Sequence, residues 1–128
     1  MEHGGLKGVR ILVVDDNDWV AAALADMLRL DGHQVDIAAN GDAALEKLRD
    51  RTYDVILSDM RMPGLDGPGL YRELELRHPA LARRFIACSA EMLSPPIQAF
   101  LEQSGVPCMG KPFTLDQVRW AVTSVART

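Results

Sequence analysis

The chain has 128 residues, 48% of them hydrophobic and 25% charged, and its formal net charge at pH 7 is −4. This length fits one domain with a sizeable core. The longest apolar run, Trp19 to Ala25, is far shorter than the ~20 residues of a membrane span. The sequence also contains no cluster of Lys and Arg residues of the kind that forms a nucleic-acid interface. We therefore expect a globular domain that binds neither membranes nor nucleic acids.

The N-terminus and the cysteines both favour a reducing compartment. The first residues lack the charged-then-apolar layout of a secretory signal. Cys88 and Cys108 are too few for a disulfide framework or a metal knuckle, and each is interpreted as a small buried hydrophobic residue. The predicted location is the cytoplasm.

Short apolar runs alternate with amphipathic stretches through the first half of the chain. Residues 10–14 predict a strand buried on both faces. Residues 18–30 predict a helix with one apolar face formed by Val20, Leu24, Met27 and Leu28. After a break at Gly32, residues 34–38 alternate as a second strand. The Asn40-Gly41 turn then precedes a second helix with an apolar stripe of Ala44, Leu45 and Leu48.

The same alternation continues in the second half. Residues 54–58 predict a third strand ending at Asp59, and a helix from Gly67 carries Leu70, Leu74 and Leu76. Residues 85–89 predict a fourth strand. Ser94 and Pro95 are typical of a helix start, here for a helix through Gln103. Residues 106–109 form a weak fifth strand. Thr114 and Gln117 have capping-box spacing before a last helix with Leu115, Val118, Val122 and Val125 inward.

Five β-then-α units predict a parallel sheet with helices on both faces. The expected fold is α/β, a flavodoxin-like doubly wound sheet of five strands in the order 2-1-3-4-5, with five helices. Sites in such folds lie outside the carboxyl ends of the strands. The residues that follow each strand are therefore the candidates for function.

Polar side chains follow four of these strands. Asp15 and Asp16 follow the first strand, Asp59 the third, Ser89 the fourth and Lys111 the fifth. Three close carboxylates repel one another unless a cation lies between them, and such oxygen ligands suit Mg²⁺. A lysine and a hydroxyl can bind the oxygens of a phosphoryl group, and an aspartate is a competent nucleophile for an acyl phosphate.

These residues resemble the motifs of the receiver domain of two-component response regulators, and the resemblance runs from about Val9 to Ala126. The matching segments occur in the family's order, at the ends of four different strands. They are residues 13–17 (Val-Val-Asp-Asp-Asn), 58–67 (Ser-Asp-Met-Arg-Met-Pro-Gly-Leu-Asp-Gly), 89–90 (Ser-Ala) and 111–113 (Lys-Pro-Phe). We expect residues 1–8 to be an N-terminal extension and residues 9–127 to form the receiver domain.

The resemblance implies a role for each site residue. Asp59 would accept a phosphoryl group from a phosphohistidine on a sensor histidine kinase or a histidine phosphotransfer protein. Asp15, Asp16, Asp59 and the backbone carbonyl of Arg61 would hold Mg²⁺, with Mn²⁺ or Ca²⁺ as substitutes. Lys111 and Ser89 would bind the phosphoryl oxygens. Because phosphoryl transfer depends mainly on positioning and charge neutralisation, these residue types fit the chemistry.

Other residues near the site have less specific interpretations. Receiver domains usually carry an aromatic residue where this chain has Cys108, so the predicted switch region of Ser89, Ala90, Cys108 and Pro112 departs from the family pattern. Pro112 is expected in a cis peptide, as in the family. Arg61 and Glu91 flank the site and are expected to tune the phosphoryl lifetime, in a direction that the sequence does not give. Trp19 either contacts a partner or covers the rim. His3, His33 and His78 are expected on the surface.

The expected function is a phospho-acceptor switch, and we do not expect it to be an enzyme that acts on external substrates. It is expected to pass its signal to an unknown downstream protein and to be a monomer or weak homodimer. No output segment follows the last helix, and we expect a stand-alone domain, with the receiver of a hybrid histidine kinase and an unphosphorylated docking module as alternatives. A phosphatase of the haloacid-dehalogenase type is disfavoured, because it would need an Asp-x-Asp motif after the first strand, where this chain has adjacent Asp15 and Asp16. A flavodoxin would need a phosphate loop there, where carboxylates repel phosphate.

Overall fold

The computed structural model of the chain describes residues 8–126. Its strands are β1 (Arg10–Val14), β2 (Gln34–Ala38), β3 (Val55–Asp59), β4 (Phe85–Ser89) and β5 (Cys108–Gly110). Its helices are α1 (Asp18–Leu30), α2 (Gly41–Asp50), α3 (Gly67–Arg77), α4 (Pro79–Ala82), α5 (Pro95–Ser104) and α6 (Leu115–Ala126). Residues 1–7 and 127–128 lie outside the described residues, so the predicted domain limits stay a prediction.

The strands form one parallel sheet in the predicted order β2-β1-β3-β4-β5. In the register, Val14 pairs with Ser58 and Asp59 pairs with Cys88. The carboxyl ends of the three central strands are therefore level with one another. This alignment brings the residues that follow β1, β3 and β4 to the same edge of the sheet.

Two apolar layers cover the sheet. One contains side chains of α1 and α6, including Leu24, Leu28 and Val122, against Ile11 and Val13 of β1. The other lies on the opposite face, where side chains of α2, α3, α4 and α5 pack against Leu12, Val14 and Ile56. Because alternate residues of each strand point to opposite faces, the central strands are buried on both sides, which was predicted for residues 10–14.

Polar side chains cap the starts of four of the long helices. The Asn17 side chain caps α1, Asn40 caps α2 and Asp66 caps α3, each by accepting backbone N–H bonds. Thr114 and Gln117 exchange the two hydrogen bonds of a capping box, at 2.8 and 3.2 Å. Ser94 occupies the cap position of α5, but its hydroxyl makes no capping bond.

Several sequence predictions need correction. Residues 8–126 form six helices rather than the predicted five, because Pro79 starts the separate four-residue helix α4 directly after His78 ends α3. The third strand begins and ends one residue later than predicted, and the fifth spans only 108–110. Leu76 is 78% exposed, outside the buried face of α3. No helix among residues 8–126 is both long and apolar enough to cross a bilayer.

Two further predictions concerned the histidines and the cysteines. His33 is buried rather than on the surface, because it follows the Gly32 turn at the start of β2 and accepts the Val9 N–H through Nδ1. His78 is half-buried at the end of α3, and His3 lies outside the described residues. Cys88 is buried, as predicted, whereas Cys108 is only half-buried; both thiols are free.

Candidate phosphoryl and metal site

Three carboxylates meet at the carboxyl edge of the sheet. Asp15 and Asp16 follow β1, and Asp59 is the last residue of β3. One oxygen from each lies within 4.8 Å of the others. The Asp15 side chain is buried, Asp16 is exposed and Asp59 lies between these extremes. The sequence thus correctly predicted that these three residues converge.

The start of helix α3 is packed directly against this edge. A Cβ atom on Gly67 would lie 2.6 Å from the Asp59 carbonyl oxygen and 2.8 Å from the Met60 Cα. The Gly67 N–H donates to the Met60 carbonyl at 3.2 Å, and the Met60 N–H donates to the Cys88 carbonyl at 3.1 Å. The backbone after Asp59 is therefore held from both sides, which fixes the direction of the carboxylate.

Lys111 connects the carboxylates that follow the first and third strands. Its Nζ atom lies 2.8 Å from Asp15 Oδ2 and 3.2 Å from Asp59 Oδ1. The other Asp15 oxygen accepts the Asn17 N–H at 2.9 Å. The Lys111 N–H donates to the Ser89 carbonyl at 3.0 Å, and the Lys111-Pro112 peptide bond is cis, as expected. Lys111 and Asp15 therefore hold each other in place.

Burial and charge alter the titration of this cluster. Burial raises the pKa of Asp59, and the nearby Asp15 charge adds to this effect, while Lys111 opposes it. Burial alone would lower the pKa of Lys111, but its hydrogen bond to Asp15 and the Asp59 charge outweigh that effect and raise it. The ammonium is therefore charged at neutral pH and attracts anions at this edge.

The donor set fits a divalent cation. Three carboxylates face one ammonium, which leaves an excess of negative charge that Lys111 alone does not neutralise. Hard oxygen ligands of this kind are those that Mg²⁺ prefers. Arg61, whose carbonyl is the other predicted ligand, lies two residues after Asp59 on the following loop.

Ser89 lies on the adjacent strand, where β4 ends. Its side chain is buried, and its Oγ atom accepts the Glu91 N–H at 3.0 Å. Ala90 follows it and is exposed. Cys108 is half-buried at the start of β5 and packs against the layer that contains Ile97. Of the predicted switch residues, Ser89 and Ala90 therefore lead into the loop of residues 90–94 between β4 and α5, whereas Cys108 lies on β5 and Pro112 follows Lys111.

Two contacts of the 90–94 loop complete the site. Arg61 Nε lies 2.8 Å from Glu91 Oε2, so an ion pair joins the loop after β3 to the loop after β4. Met92 lies over Gly110, where a Cβ atom would be 2.8 Å from its sulfur. The sequence placed Arg61 and Glu91 beside the site but did not predict their pairing. It gave no signal for Met92, because this contact depends on loop conformation.

Trp19 lies in the first turn of α1 and is 88% exposed. Its backbone N–H donates to Oδ1 of Asn17, the capping residue of α1, at 3.0 Å. The ring is therefore open to solvent on most of its surface, and both interpretations of Trp19, as a partner contact and as a cover for the rim, stay predictions.

Comparison with known proteins identifies the family. The profile of the response regulator receiver domain matches residues 11–123. Over 89 residues the chain is 38% identical to the gliding motility regulatory protein of Myxococcus xanthus, covering 70% of this chain and 11% of that protein. It is 36% identical over 116 residues to the sensor histidine kinase RcsC of Escherichia coli K12, covering 91% of this chain and 12% of the kinase.

A solved structure agrees with these sequence matches. The receiver domain of the sensor histidine kinase PA1611 from Pseudomonas aeruginosa aligns with a TM-score of 0.83 at 29% identity, covering 94% of this chain and 99% of that one. That structure is described with a magnesium ion coordinated in the active-site cleft. The chain belongs to the receiver domain family of two-component systems. It spans about a tenth of the length of the two relatives named above.

Proposed function

We propose that this receiver domain is a phospho-acceptor in which Asp59 takes a phosphoryl group from a phosphohistidine. The observation that carries this proposal is the contact of one lysine with two carboxylates, Asp15 and Asp59, at the edge where three acidic residues converge. Receiver domains interact with histidine kinases or phosphotransfer proteins, so the proposed donor is a protein of one of these classes. The proposed location is the cytoplasm, supported by the two free cysteines.

In the proposed reaction, an Asp59 oxygen attacks the phosphorus and the bond from phosphorus to the histidine nitrogen breaks. Asp15 and Asp16, with Asp59 and the Arg61 carbonyl, would hold the metal. Bound Mg²⁺ would supply charge neutralisation for the phosphoryl oxygens. The Lys111 ammonium would turn from the Asp59 carboxylate to a phosphoryl oxygen, since both are anionic acceptors within reach of the same side chain.

Ser89 is proposed to bind a second phosphoryl oxygen. Its hydroxyl accepts the Glu91 N–H, which leaves its own proton free to be donated. Because the same hydroxyl would then contact both the phosphoryl group and the 90–94 loop, phosphorylation would reposition that loop. We propose the loop as the element that changes the partner-binding surface, with Cys108 in place of the usual aromatic residue.

Intact-mass spectrometry after incubation with acetyl phosphate and Mg²⁺ tests the proposal. We expect one phosphoryl adduct on the wild-type chain and none on Asp59→Asn or after chelation of the metal. Lys111→Met is expected to form the adduct about ten- to a hundredfold more slowly, the effect of losing a charge-assisted hydrogen bond. Asp116→Asn, on the exposed surface of α6, is the matched control and should behave as the wild type.

The absence of an adduct, with Mg²⁺ binding verified independently, would favour an unphosphorylated docking module instead. A second candidate is the receiver segment of a hybrid histidine kinase. It is favoured by the match of 91% of this chain to 12% of RcsC, which is named a sensor histidine kinase. Phosphotransfer assays with isolated histidine kinase cores and with histidine phosphotransfer proteins distinguish these two classes of phosphoryl donor.

A further inference from the structure

Met92 of the 90–94 loop packs over the backbone of the edge strand β5. A Cβ atom on Gly110 would lie 2.8 Å from the Met92 sulfur and 3.9 Å from its Cγ. Apart from the chain neighbours of Gly110, the described residues place no other atom within 4 Å of that position. Met92, which is 37% exposed, therefore occupies the space that a side chain on Gly110 would take.

This face of β5 carries no large side chain of its own. Cys108 and Gly110 are alternate residues of the strand, so their side-chain positions lie on the same face of the sheet. The first is a half-buried thiol, and the second has no side chain. The contact between β5 and the 90–94 loop at Gly110 is therefore made by a side chain of the loop, whereas receiver domains usually carry an aromatic side chain on the strand, at the position of Cys108.

Hydrogen bonds link Met92 to the Ser89 hydroxyl. The Glu91 N–H donates to Ser89 Oγ at 3.0 Å. The Glu91 carbonyl accepts the Ser94 N–H at 3.0 Å, which closes a turn with Met92 and Leu93 at its centre. Because both bonds are made by Glu91, a displacement of the Ser89 hydroxyl displaces the turn, and Met92 with it.

The order of the strands gives this displacement a direction. β4 lies between β3 and β5. On one side Cys88 pairs with Asp59, and on the other side Ser89 pairs with Gly110. A phosphoryl group on Asp59 would therefore lie on the β3 side of Ser89, whereas Gly110 lies on the β5 side. A Ser89 hydroxyl that moves to bind a phosphoryl oxygen moves away from Gly110, and the 90–94 loop follows it.

A recess beside the loop gives it room for this movement. The recess has a volume of about 470 Å³, and its lining includes Ser89, Met92, Gly110 and Lys111. Leu93, the other central residue of the turn, is 83% exposed. The loop therefore borders open space, and it moves without disrupting the packed layers of the core.

We infer that the Met92–Gly110 contact holds the 90–94 loop in its unphosphorylated position and opens when Asp59 is phosphorylated. The inference rests on the proposed phosphorylation of Asp59, and it names the side chain that carries the effect to the surface. A contact that opens on phosphorylation also opposes phosphorylation, because the coupling between two sites is reciprocal. Loss of the contact is therefore expected to favour the phosphorylated conformation.

The affinity for beryllofluoride, a non-covalent analogue of the phosphoryl group, tests this by calorimetric titration at saturating Mg²⁺. Met92→Ala removes the contact. Gly110→Ala expels the Met92 sulfur, which is near the end of a flexible side chain, at little cost to folding. Each variant is expected to bind beryllofluoride about fivefold more tightly, the lower end of typical coupling between sites. The double variant should bind within about twofold of either single variant, because all three have lost the same contact.

The methyl resonance of Met92 gives a readout that a merely structural role would not move. Met92→Ala identifies this resonance among those of the six methionines. In the wild type, beryllofluoride is expected to shift it toward its position in unliganded Gly110→Ala, where the side chain is already displaced. The same addition to Gly110→Ala is expected to cause a smaller shift. A resonance that does not move in the saturated wild type would overturn the inference.

Two matched variants provide the controls. Leu93→Ala removes the neighbouring, exposed side chain of the same turn. Gly69→Ala directs a Cβ atom at the end of a flexible side chain, as Gly110→Ala does, here Leu65 Cδ1 at 2.9 Å. Both controls should bind beryllofluoride as the wild type does. A similar gain of affinity in Leu93→Ala would overturn the inference, because a general loosening of the loop and not the contact would then act.

The outcomes separate this inference from the proposed function. Unchanged or weaker binding in Met92→Ala and Gly110→Ala, with the acetyl phosphate adduct formed normally, would overturn the inference and leave the phospho-acceptor proposal intact. Gains that add in the double variant would also overturn it. If Gly110→Ala does not fold, the comparison of Met92→Ala with Leu93→Ala decides. A wild-type chain that neither forms the adduct nor binds beryllofluoride would overturn both proposals.

Discussion

At the scale of single residues, the site depends on one lysine that contacts two carboxylates. Lys111 contacts Asp15 and Asp59, which are 44 positions apart along the chain and follow different strands. The motif-bearing residues could be predicted because each stands at, or just beyond, the carboxyl end of a strand, where a parallel sheet brings side chains to one edge. The Arg61–Glu91 and Met92–Gly110 contacts could not be predicted, because they depend on the conformation of loops rather than on the sheet.

His33 gives a pH prediction at this scale. Burial lowers the pKa of His33 below its usual 6.5, with Asp31 partly opposing the effect, and Nδ1 accepts the Val9 N–H at 3.1 Å. The folded chain therefore resists a proton that the unfolded chain accepts. We expect the free energy of unfolding to be independent of His33 above about pH 6.5 and to decrease as the pH falls from there toward the lower folded pKa.

Urea unfolding of the wild type and of His33→Asn between pH 5 and pH 8 measures this dependence of the free energy of unfolding on pH. Asn keeps a hydrogen-bond acceptor close to the Nδ1 position but does not titrate, so the loss of stability with falling pH should be smaller in the variant. Parallel stability curves for the two proteins would contradict the assignment of this pH dependence to His33.

At the scale of elements, the sequence predicted the strands and long helices well because burial and capping leave local signals. The capping box of Thr114 and Gln117 follows from their spacing, and the turn predicted at Asn40-Gly41 coincides with the cap of α2. The separate helix α4 was missed. The exposure of Leu76 was missed as well, since the sequence alone does not show which face of the helix an apolar residue near its end occupies. His33 was missed for a similar reason: its burial depends on the preceding strand, far away in sequence.

Gly67 gives a prediction about the junction of α3 with the site. Gly67→Ala would place a Cβ atom against the Asp59 carbonyl oxygen and Met60 Cα, both of them backbone atoms. We expect destabilisation of about 1–3 kcal/mol, typical of overpacking at a tight contact, and slower formation of the Asp59 adduct. Thermal unfolding and the acetyl phosphate assay measure the two effects.

Gly69→Ala is the matched control for this substitution. Its Cβ atom would contact chiefly the end of the Leu65 side chain, at 2.9 Å, which can move at little cost. It should therefore cost less stability and leave adduct formation unchanged. Equal losses in the two variants would show that the close approach at Gly67 does not matter for the site.

At the scale of the whole molecule, the acidic cluster is expected to make the free energy of unfolding depend on the cation concentration. The three carboxylates are drawn together only in the folded chain, so a cation that binds them stabilises the fold according to its concentration and affinity. Millimolar Mg²⁺ is expected to raise the melting temperature by a few degrees, about the effect of 1 kcal/mol on a domain of this size. Asp16→Asn should reduce this shift, as measured by calorimetry with and without the metal.

Asp26→Asn is the control for the metal experiment, because Asp26 lies on the exposed face of α1 and is outside the cluster. Its melting temperature should respond to Mg²⁺ as the wild type does. An equal response in Asp16→Asn would contradict the proposed role of Asp16, and no response in the wild type would contradict the metal site.

The position of Trp19 has a practical consequence. The chain has two tryptophans: Trp19 lies three residues after Asp16, in the first turn of α1, whereas Trp120 lies on the outer surface of α6. Trp120→Phe would therefore leave one indole chromophore beside the site. Its emission would report the arrival of an ion or a phosphoryl group in real time, without a label, and stopped-flow fluorimetry would become possible on the native side chain.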